Sequence, residues 1–301
     1  MCMLPSGVTI VCFFMIHVSP GDPAETILGI DATPQKVVLL HQQWGLDRGL
    51  AAQYWLFMDR LLHGNLGTSL IYSTGASTLI WQRLPVTLWL IVYATVLAII
   101  ISVPLAMIAA TRQNALRDQA VRAVPLIGLG LPPFWVGFLL IFAFGIKEPW
   151  FPVGGYGQGL FGHLRSMFLP ALTVAIALSP VVIRSLRASM LNVLGADFIT
   201  TAKSKGVGGP RLFFRHVLRN AVIPAVTVLG INIGFLIGGT VVVERVFALP
   251  GVGQLMINSV FQRDFPVVQG VALAFAVLVV LVNLLADMAY AALDPRVSFD
   301  R

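Results

Sequence analysis

Five stretches of the chain contain no lysine, arginine, aspartate or glutamate: residues 84–111, 123–146, 166–183, 220–243 and 265–286, all rich in Leu, Ile, Val, Ala and Phe. An apolar run of about 20 residues is what a helix needs to cross a hydrocarbon layer about 30 Å thick. Inside that layer the backbone has no water to bond, so a helix, which satisfies its own N–H and C=O groups, is the shape such runs take. A sixth apolar segment runs from Val8 to Val18. Residues 61–82 also lack charge, yet they hold His63, Gly64, Asn65, Gly67, Thr68, Ser69, Ser73, Thr74 and Gly75, too many polar and turn-forming groups for a span. Hydrophobic residues make up 57% of the 301 and charged ones 11%, against about 25% charged in a soluble domain. That excludes an ordinary soluble enzyme and a disordered chain. The expected fold is an all-α integral membrane protein of six transmembrane helices. The first lies within residues 1–18, an external loop with short helices at 19–83, a five-helix core at 84–291 and a tail at 292–301.

No basic residue precedes Lys36, and no small-x-small cleavage site precedes Pro20-Gly21-Asp22-Pro23. The first segment therefore reads as a retained helix whose N-terminal turn is missing from this chain, and not as a secretory signal. Cys2 and Cys12 form no metal-ligand or disulfide pattern.

Loop charges set the orientation. Residues 112–122 carry three arginines against one aspartate, and residues 184–219 seven basic residues against Asp197. The loop 19–83 carries four basic against five acidic residues, and the stretches 147–165 and 244–264 are close to neutral. Basic loops stay in the cytoplasm, which places both termini and the two basic loops inside. The net charge of +7 is thus topological and implies no nucleic acid.

Within the external loop, Thr33-Pro34 is the pattern of an N-cap followed by proline in the first turn, and Gly45 is placed to end that helix. A second helix is expected from Gly49 to His63, with Leu50, Tyr54, Phe57, Met58, Leu61 and Leu62 on one face and Gln53, Asp59 and Arg60 off it. It reads either as a docking surface for an external partner or as a hairpin lying on the bundle or the membrane interface. Inside the spans, Pro104, Pro125, Pro132, Pro133, Pro170, Pro180 and Pro224 are numerous. Pro132-Pro133 is the sharpest break, lining a pathway or kinking a packed helix. In span five Gly230, Gly234 and Gly238 recur every four residues, giving a smooth face for helix packing, with Asn232 and Thr240 able to bond across it.

No Gly-x-Ser-x-Gly, His-Glu-x-x-His or paired membrane aspartates occur, and the five histidines (His17, His41, His63, His163, His216) are scattered, so an intramembrane enzyme is disfavoured. The spans carry no ionisable group at mid-depth, which weighs against an ion channel or ion-coupled carrier.

The segment 188–222 between spans four and five is the most informative. Phe198–Lys205 suits a short helix stopped by Gly206, Gly208-Gly209-Pro210 turns the chain, and Leu212, Phe213, Val217 and Leu218 give a second helix its apolar face. Physics alone leaves a coupling element for a cytosolic partner level with a basic loop on anionic headgroups. The run Thr201-Ala202-Lys203-Ser204-Lys205-Gly206, followed by Arg215-His216-Val217-Leu218-Arg219-Asn220-Ala221-Val222-Ile223-Pro224, resembles the EAA loop of ATP-binding-cassette importer permeases of the dipeptide/oligopeptide/nickel group. Similar in order are Pro20-Gly21-Asp22-Pro23, Gly64 to Ser69, Arg83-Leu84-Pro85-Val86-Thr87-Leu88, Pro250-Gly251-Val252-Gly253, Asp264 to Gly270 and Leu293-Asp294-Pro295-Arg296. The chain is identified as a resembling member, of the first, dipeptide-permease type. It departs where Thr200 and Thr201 stand in the loop's acidic and first alanine positions, and in its shortened N-terminus.

That resemblance implies a transport subunit without bond chemistry or cofactor of its own, moving dipeptides or oligopeptides inward, with nickel chelates or haem as alternatives. Its implied partners are a homologous second permease, two ATP-binding subunits carrying ATP and Mg, an external substrate-binding lipoprotein and membrane lipid, in a bacterial inner membrane. The coupling contacts would fall on Asp197, Thr200, Thr201, Ala202, Lys203, Lys205, Gly206 and Arg211. Pro132, Pro133, Asn232, Gly234 and Gly238 are candidates for the pathway or for helix packing. The sequence carries no Gly-x-x-x-x-Gly-Lys-Ser/Thr phosphate loop.

Overall fold

A computed structural model of the chain describes residues 3–18, 22–29, 32–45, 47–69, 71–111 and 130–293. Outside it fall Pro20-Gly21, the basic loop with Arg112, Arg117, Asp118 and Arg122, the first part of the third expected span with Pro125, and the tail from Asp294. Four helical runs among the described residues are long and apolar enough to cross a membrane: Ala76–Thr111, Gly159–Leu194, Gly209–Val246 and Phe265–Ala292. The first and third expected spans are represented by shorter pieces, Met3–Val18 and Pro133–Lys147. The chain divides into two compact units, Met1–Leu88 with Ala248–Leu278, and Trp89–Phe247 with Val279–Arg301.

The first unit begins with α1 (Met3–Val18), α2 (Pro23–Leu28), α3 (Pro34–Trp44) and α4 (Leu50–Leu62). Asp22 caps α2 through Ala24 N–H at 2.8 Å, and Thr33 caps α3 through Lys36 N–H, as the Thr-Pro pattern predicts. Gly45 ends α3 in the left-handed region, its N–H bonded to His41 O, where a β-carbon would be strained and would meet Leu56 Cδ1 at 2.7 Å. In α4 the inward face matches the expected one only in part. Gln53 is buried and donates to Arg48 O, Tyr54 and Phe57 pack against Phe13 of α1, and Leu50 and Leu62 are exposed.

Within residues 61–82, rejected as a span, the short strands β1 (Thr68–Ser69) and β2 (Thr74–Gly75) pair in antiparallel register Thr68↔Gly75 and Ser69↔Thr74. The hairpin leads straight into α5 (Ala76–Thr111). The unit's core joins Ala76, Leu79 and Ile80 of α5 to Val252 and Leu255 of a late helix and Val267 and Val271 of the last one.

The second unit holds the remainder of α5, α6 (Pro133–Ile141, continued by a π-helical turn Phe142–Lys147), α7 (Gly159–Leu194), α8 (Asp197–Ser204), α9 (Gly209–Leu212) and, through a second π turn Phe213–Leu218, α10 (Arg219–Val246). The late helix of the first unit is α11 (Val252–Phe261), and the last helix is α12 (Phe265–Leu293). In α7, 72% of the apolar window is enclosed by protein, against 22–39% in the other three long runs, so α7 is the central post of its unit, with α6 and α10 packed on it. Ala98 of α5 and Ala175, Leu178 and Val182 of α7 form one core, and Ser102 Oγ donates to Ser179 O across it.

The α2–α3 corner is pH-sensitive. His41 Nε2 lies 2.8 Å from Asp22 Oδ1 and its Nδ1 3.3 Å from Asp47. The Asp22 hydrogen bond, helped by both carboxylates, holds the His41 pKa above its ordinary value. Partial burial pushes the Asp22 carboxyl up, but its bonds from His41 and Ala24 N–H outweigh that and leave it lowered. The His41 contribution is complete below its ordinary pKa and fades as pH rises through the elevated one. The Asp22 contribution is complete above its ordinary pKa and fades as pH falls through the depressed one. The corner is therefore expected to be firmest between about pH 4 and 6.5. Amide hydrogen exchange in α2 and α3, corrected for intrinsic rates, should be slowest there, and His41→Gln should flatten the profile.

Candidate functional site

The predicted helix–turn–helix at 188–222 is present. α8 spans Asp197–Ser204 with Asp197 in its first turn, and Thr201 Oγ1 bonds back to Asp197 O. Its C-terminus closes with Val207 N–H to Ala202 O and Gly206 N–H to Lys203 O, the paired bonds of a Schellman stop. Gly206 takes φ +79°, as its placement after the helix predicts. Gly209 at φ +58° and Pro210 then turn the chain into α9.

What the sequence leaves open is how this element is held. Ile199 of α8, Leu212 and Val217 are buried in one cluster with Ala106 and Ala110 at the end of α5, Leu186 and Met190 at the end of α7, and Ala221 and Ala225 of α10. Ala202 and Val207 pack against its edge. One apolar knot therefore joins the short helix to three long ones. The opposite face is open: Asp197, Thr200, Thr201, Lys203, Lys205, Gly206 and Arg211 are exposed, together with Arg215 and Arg219. Two exposed aromatic residues, Phe198 and Phe214, stand among these charges. The sequence reading omits them from the site, although aromatic side chains left outside a short basic helix are themselves a sign of a contact surface.

The pathway candidates separate. Pro132 caps α6 and Pro133 occupies its first turn, so the expected break is a fresh helix start, where proline costs no backbone bond. The glycine stripe of α10 is used unevenly. A β-carbon on Gly230 would stand 2.2 Å from Ala286 Cβ, whereas one on Gly238 would meet nothing. Asn232 Nδ2 donates to Val228 O and Thr240 Oγ1 to Ile237 O, both within their own helix. Around the tight contact at Gly230, α10 and α12 frame an open groove of about 570 Å³ lined by Thr227, Ile231, Gly234, Phe235, Val279, Asn283, Ala286 and Asp287. That size is within the range of ligand sites. Just beyond the charge-free run, Glu244 is fully enclosed in the last turn of α10.

In the first unit, two sequence motifs 195 residues apart meet. The buried Ser69 of β1 donates from its hydroxyl to Asp264 Oδ2 and accepts from Tyr72 N–H. Asp264 also heads α12, its carboxyl bonded by Val267 N–H and its C=O by Val268 N–H. Burial pushes the Asp264 pKa up despite these bonds.

Residues 102–299 match the family described as binding-protein-dependent transport system inner membrane component, and residues 3–91 its N-terminal membrane component. The chain belongs to this family. The oligopeptide transport system permease protein AppB of Bacillus subtilis is 37% identical over 299 residues, covering 97% of this chain and 95% of that protein. The glutathione transport system permease protein GsiC of Escherichia coli K12 is 37% identical over 292 residues, covering 97% and 94%. Among solved structures, the inward-facing MetNI methionine ABC transporter shares the fold at a TM-score of 0.59 and 19% identity, over 72% of this chain and 96% of that one. The permease is thus a non-catalytic membrane subunit of an ABC importer, whose ATP is hydrolysed by partner ATPases, and a multi-pass protein of the inner membrane.

Two predictions test these packing assignments in the permease. Gly230→Ala should lower stability by about 1–3 kcal/mol through overpacking against Ala286, while Gly238→Ala causes no loss; thermal unfolding of the purified subunit distinguishes them. Ser69→Ala and Asp264→Ala should each cost about 1–3 kcal/mol by leaving buried partners unbonded, whereas Asp264→Asn, which keeps a cap and sheds the buried charge, stays close to wild type.

Proposed function

We propose that the permease carries small peptides into the cytoplasm by alternating access, with α8 and its turn as the lever that an ATPase moves. The observation that carries this reading is the two-sided construction of α8: an exposed basic and aromatic face, and a buried face knotted to the ends of α5, α7 and α10. A force on the exposed side reaches three spans without passing through a flexible joint. The substrate class follows the 37% identity, over nearly the full length, with permeases named for oligopeptides and glutathione. The groove between α10 and α12 offers apolar walls with Asn283 and Asp287 as polar points, a lining suited to a peptide backbone and its amino terminus.

The same reading places both termini and the two basic loops in the cytoplasm. It adds a homologous second permease facing this one, two ATP-binding subunits holding ATP and Mg, and an external binding protein that delivers substrate. Closure of the ATPases on ATP favours one of two conformations, and their opening favours the other.

The test uses the complex reconstituted in vesicles with its binding protein. Combined Lys203→Glu, Lys205→Glu and Arg211→Glu is expected to leave the permease inserted, to weaken ATPase co-purification and to cut dipeptide uptake at least about tenfold, roughly 1.4 kcal/mol or more of coupling. Ala202→Asp, which sets a carboxylate at the edge of the knot, should instead retain the ATPases but separate hydrolysis from uptake. Undiminished uptake in both variants overturns the lever, and ATP-independent uptake by this chain alone overturns the importer mechanism.

A further inference from the structure

We infer that α4 lies in the outer leaflet of the bilayer as an interfacial helix, with lipid acyl chains covering its outward face. That face carries Ala51, Trp55 and Leu62, all exposed, with Trp55 at 74% and Leu62 at 80% of full exposure. Two large apolar side chains this open, on a helix whose other face is packed, require a cover.

The depth of α4 identifies it. The packed face of α4 touches α1 well inside the span: Tyr54 Oη lies 2.9 Å from Thr9 Oγ1, and the Tyr54 and Phe57 rings lie 5.4 and 6.0 Å from that of Phe13. At 1.5 Å per residue, Phe13 and Thr9 stand about 7 and 13 Å below Val18, where α1 ends. The last helix gives the same level independently. Phe57, Arg60 and Leu61 border a small cavity with Gln269, Gly270 and Leu273, which stand about 6–12 Å inside the Phe265 end of α12. On the orientation proposed above, on which this inference rests, the Val18 and Phe265 helix ends lie at the outer boundary. Both rulers then put the contacts of α4 about 6–13 Å inside, overlapping the 5–10 Å to which an amphipathic helix sinks into the headgroup–acyl boundary. α1 itself leaves Ile10, Val11 and Phe14 exposed on its outer side, and in a membrane span such side chains face lipid. α4 is packed on the same helix through Tyr54 and Phe57, so its exposed strip has the same kind of surroundings.

The residue types agree. Tryptophan favours the interfacial zone, where its ring meets acyl chains and its indole N–H meets water or headgroup. Asp59, whose side chain is largely exposed and whose backbone carbonyl accepts His63 Nδ1 one turn on, borders the strip and limits how deep the helix can sit, because its carboxylate must stay at headgroup level. A water-soluble binding protein would have to enter the leaflet to reach Trp55 and Leu62.

Single nitroxide labels at Trp55→Cys and Leu62→Cys, in a Cys2→Ser, Cys12→Ala background of the full complex in lipid nanodiscs, test this. Lys36→Cys on α3 serves as the aqueous reference. Power-saturation measurements compare collisions with oxygen, which partitions into lipid, and with nickel-EDDA, which stays in water. The oxygen-to-nickel ratio at positions 55 and 62 is expected to exceed that at position 36 by at least about threefold. It should not change when substrate-loaded binding protein is added. High nickel accessibility at both positions, or a loss of it only on binding-protein addition, overturns the inference in favour of an aqueous docking surface. Low accessibility to both reagents overturns it in favour of a protein neighbour.

Discussion

Hydrocarbon offers a peptide group nothing to bond, and that constraint governs where this chain is regular and how its helices end. The long helices meet it internally. Their ends and re-entries must find partners from elsewhere, and in the first unit those partners come from distant sequence. Thr87 Oγ1 accepts Val252 N–H at the start of α11, Asp264 receives both Ser69 and the first turn of α12, and Gln269 Nε2 reaches Cys12 O at 2.6 Å. The first two bonds fasten a helix start to another element and the third ties the second turn of α12 to the middle of α1, so satisfying polar groups also assembles the unit. The Ser69–Asp264 contact shows the balance involved: burial raises the pKa of the carboxyl, and only the hydroxyl and the helix N–H groups make its position tolerable.

The same constraint decided what the sequence made legible. Charge-free runs located α5, α7, α10 and α12, because excluding ions from hydrocarbon is a one-dimensional rule that a linear reading can apply. Local caps were legible too: Thr33-Pro34, Gly45 and Gly206 act within a few residues of where they stand. α11 was missed inside a stretch read as loop, although Val252, Leu255, Met256 and Ser259 recur at helical spacing after Gly251. Its ten residues are too few to cross a bilayer, so it leaves no span-length signal in the sequence. The apolar face of α4 is only partly legible for a different reason: Tyr54 and Phe57 pack as its spacing suggests, but hydrophobicity names the core face only when water lies opposite, and Gln53 is buried while Leu50 and Leu62 stay exposed.

Pairings over long separations were beyond a linear reading altogether. The glycine stripe of α10 marks a smooth face, yet only the three-dimensional arrangement decides that Gly230 receives Ala286 while Gly238 receives nothing. The candidate coupling residues lie close together along the chain, but what anchors their helix is the knot of Ile199, Leu212 and Val217 with Ala106, Leu186 and Met190. These residues come from four separate segments, and nothing in their own neighbourhoods distinguishes them from other span residues.

That knot also bears on how motion can pass through the second unit. Small alanines at 106, 110, 221 and 225 allow the ends of α5 and α10 to approach α7 and the short helix closely, and close-packed apolar contacts resist separation while permitting small sliding. α7, the most enclosed of the long helices, is the natural fulcrum. α10, packed on α7 along its length, turns its other side to the groove it shares with α12. Under the proposed lever, a displacement of α8 would reach the groove through one intermediary helix. The two residues that meet without clearance, Gly230 and Ala286, lie within the lengths of α10 and α12 that border the groove and fix the spacing of the two helices there. On that lever, their contact is the point about which a small push at one end of α10 would change the groove.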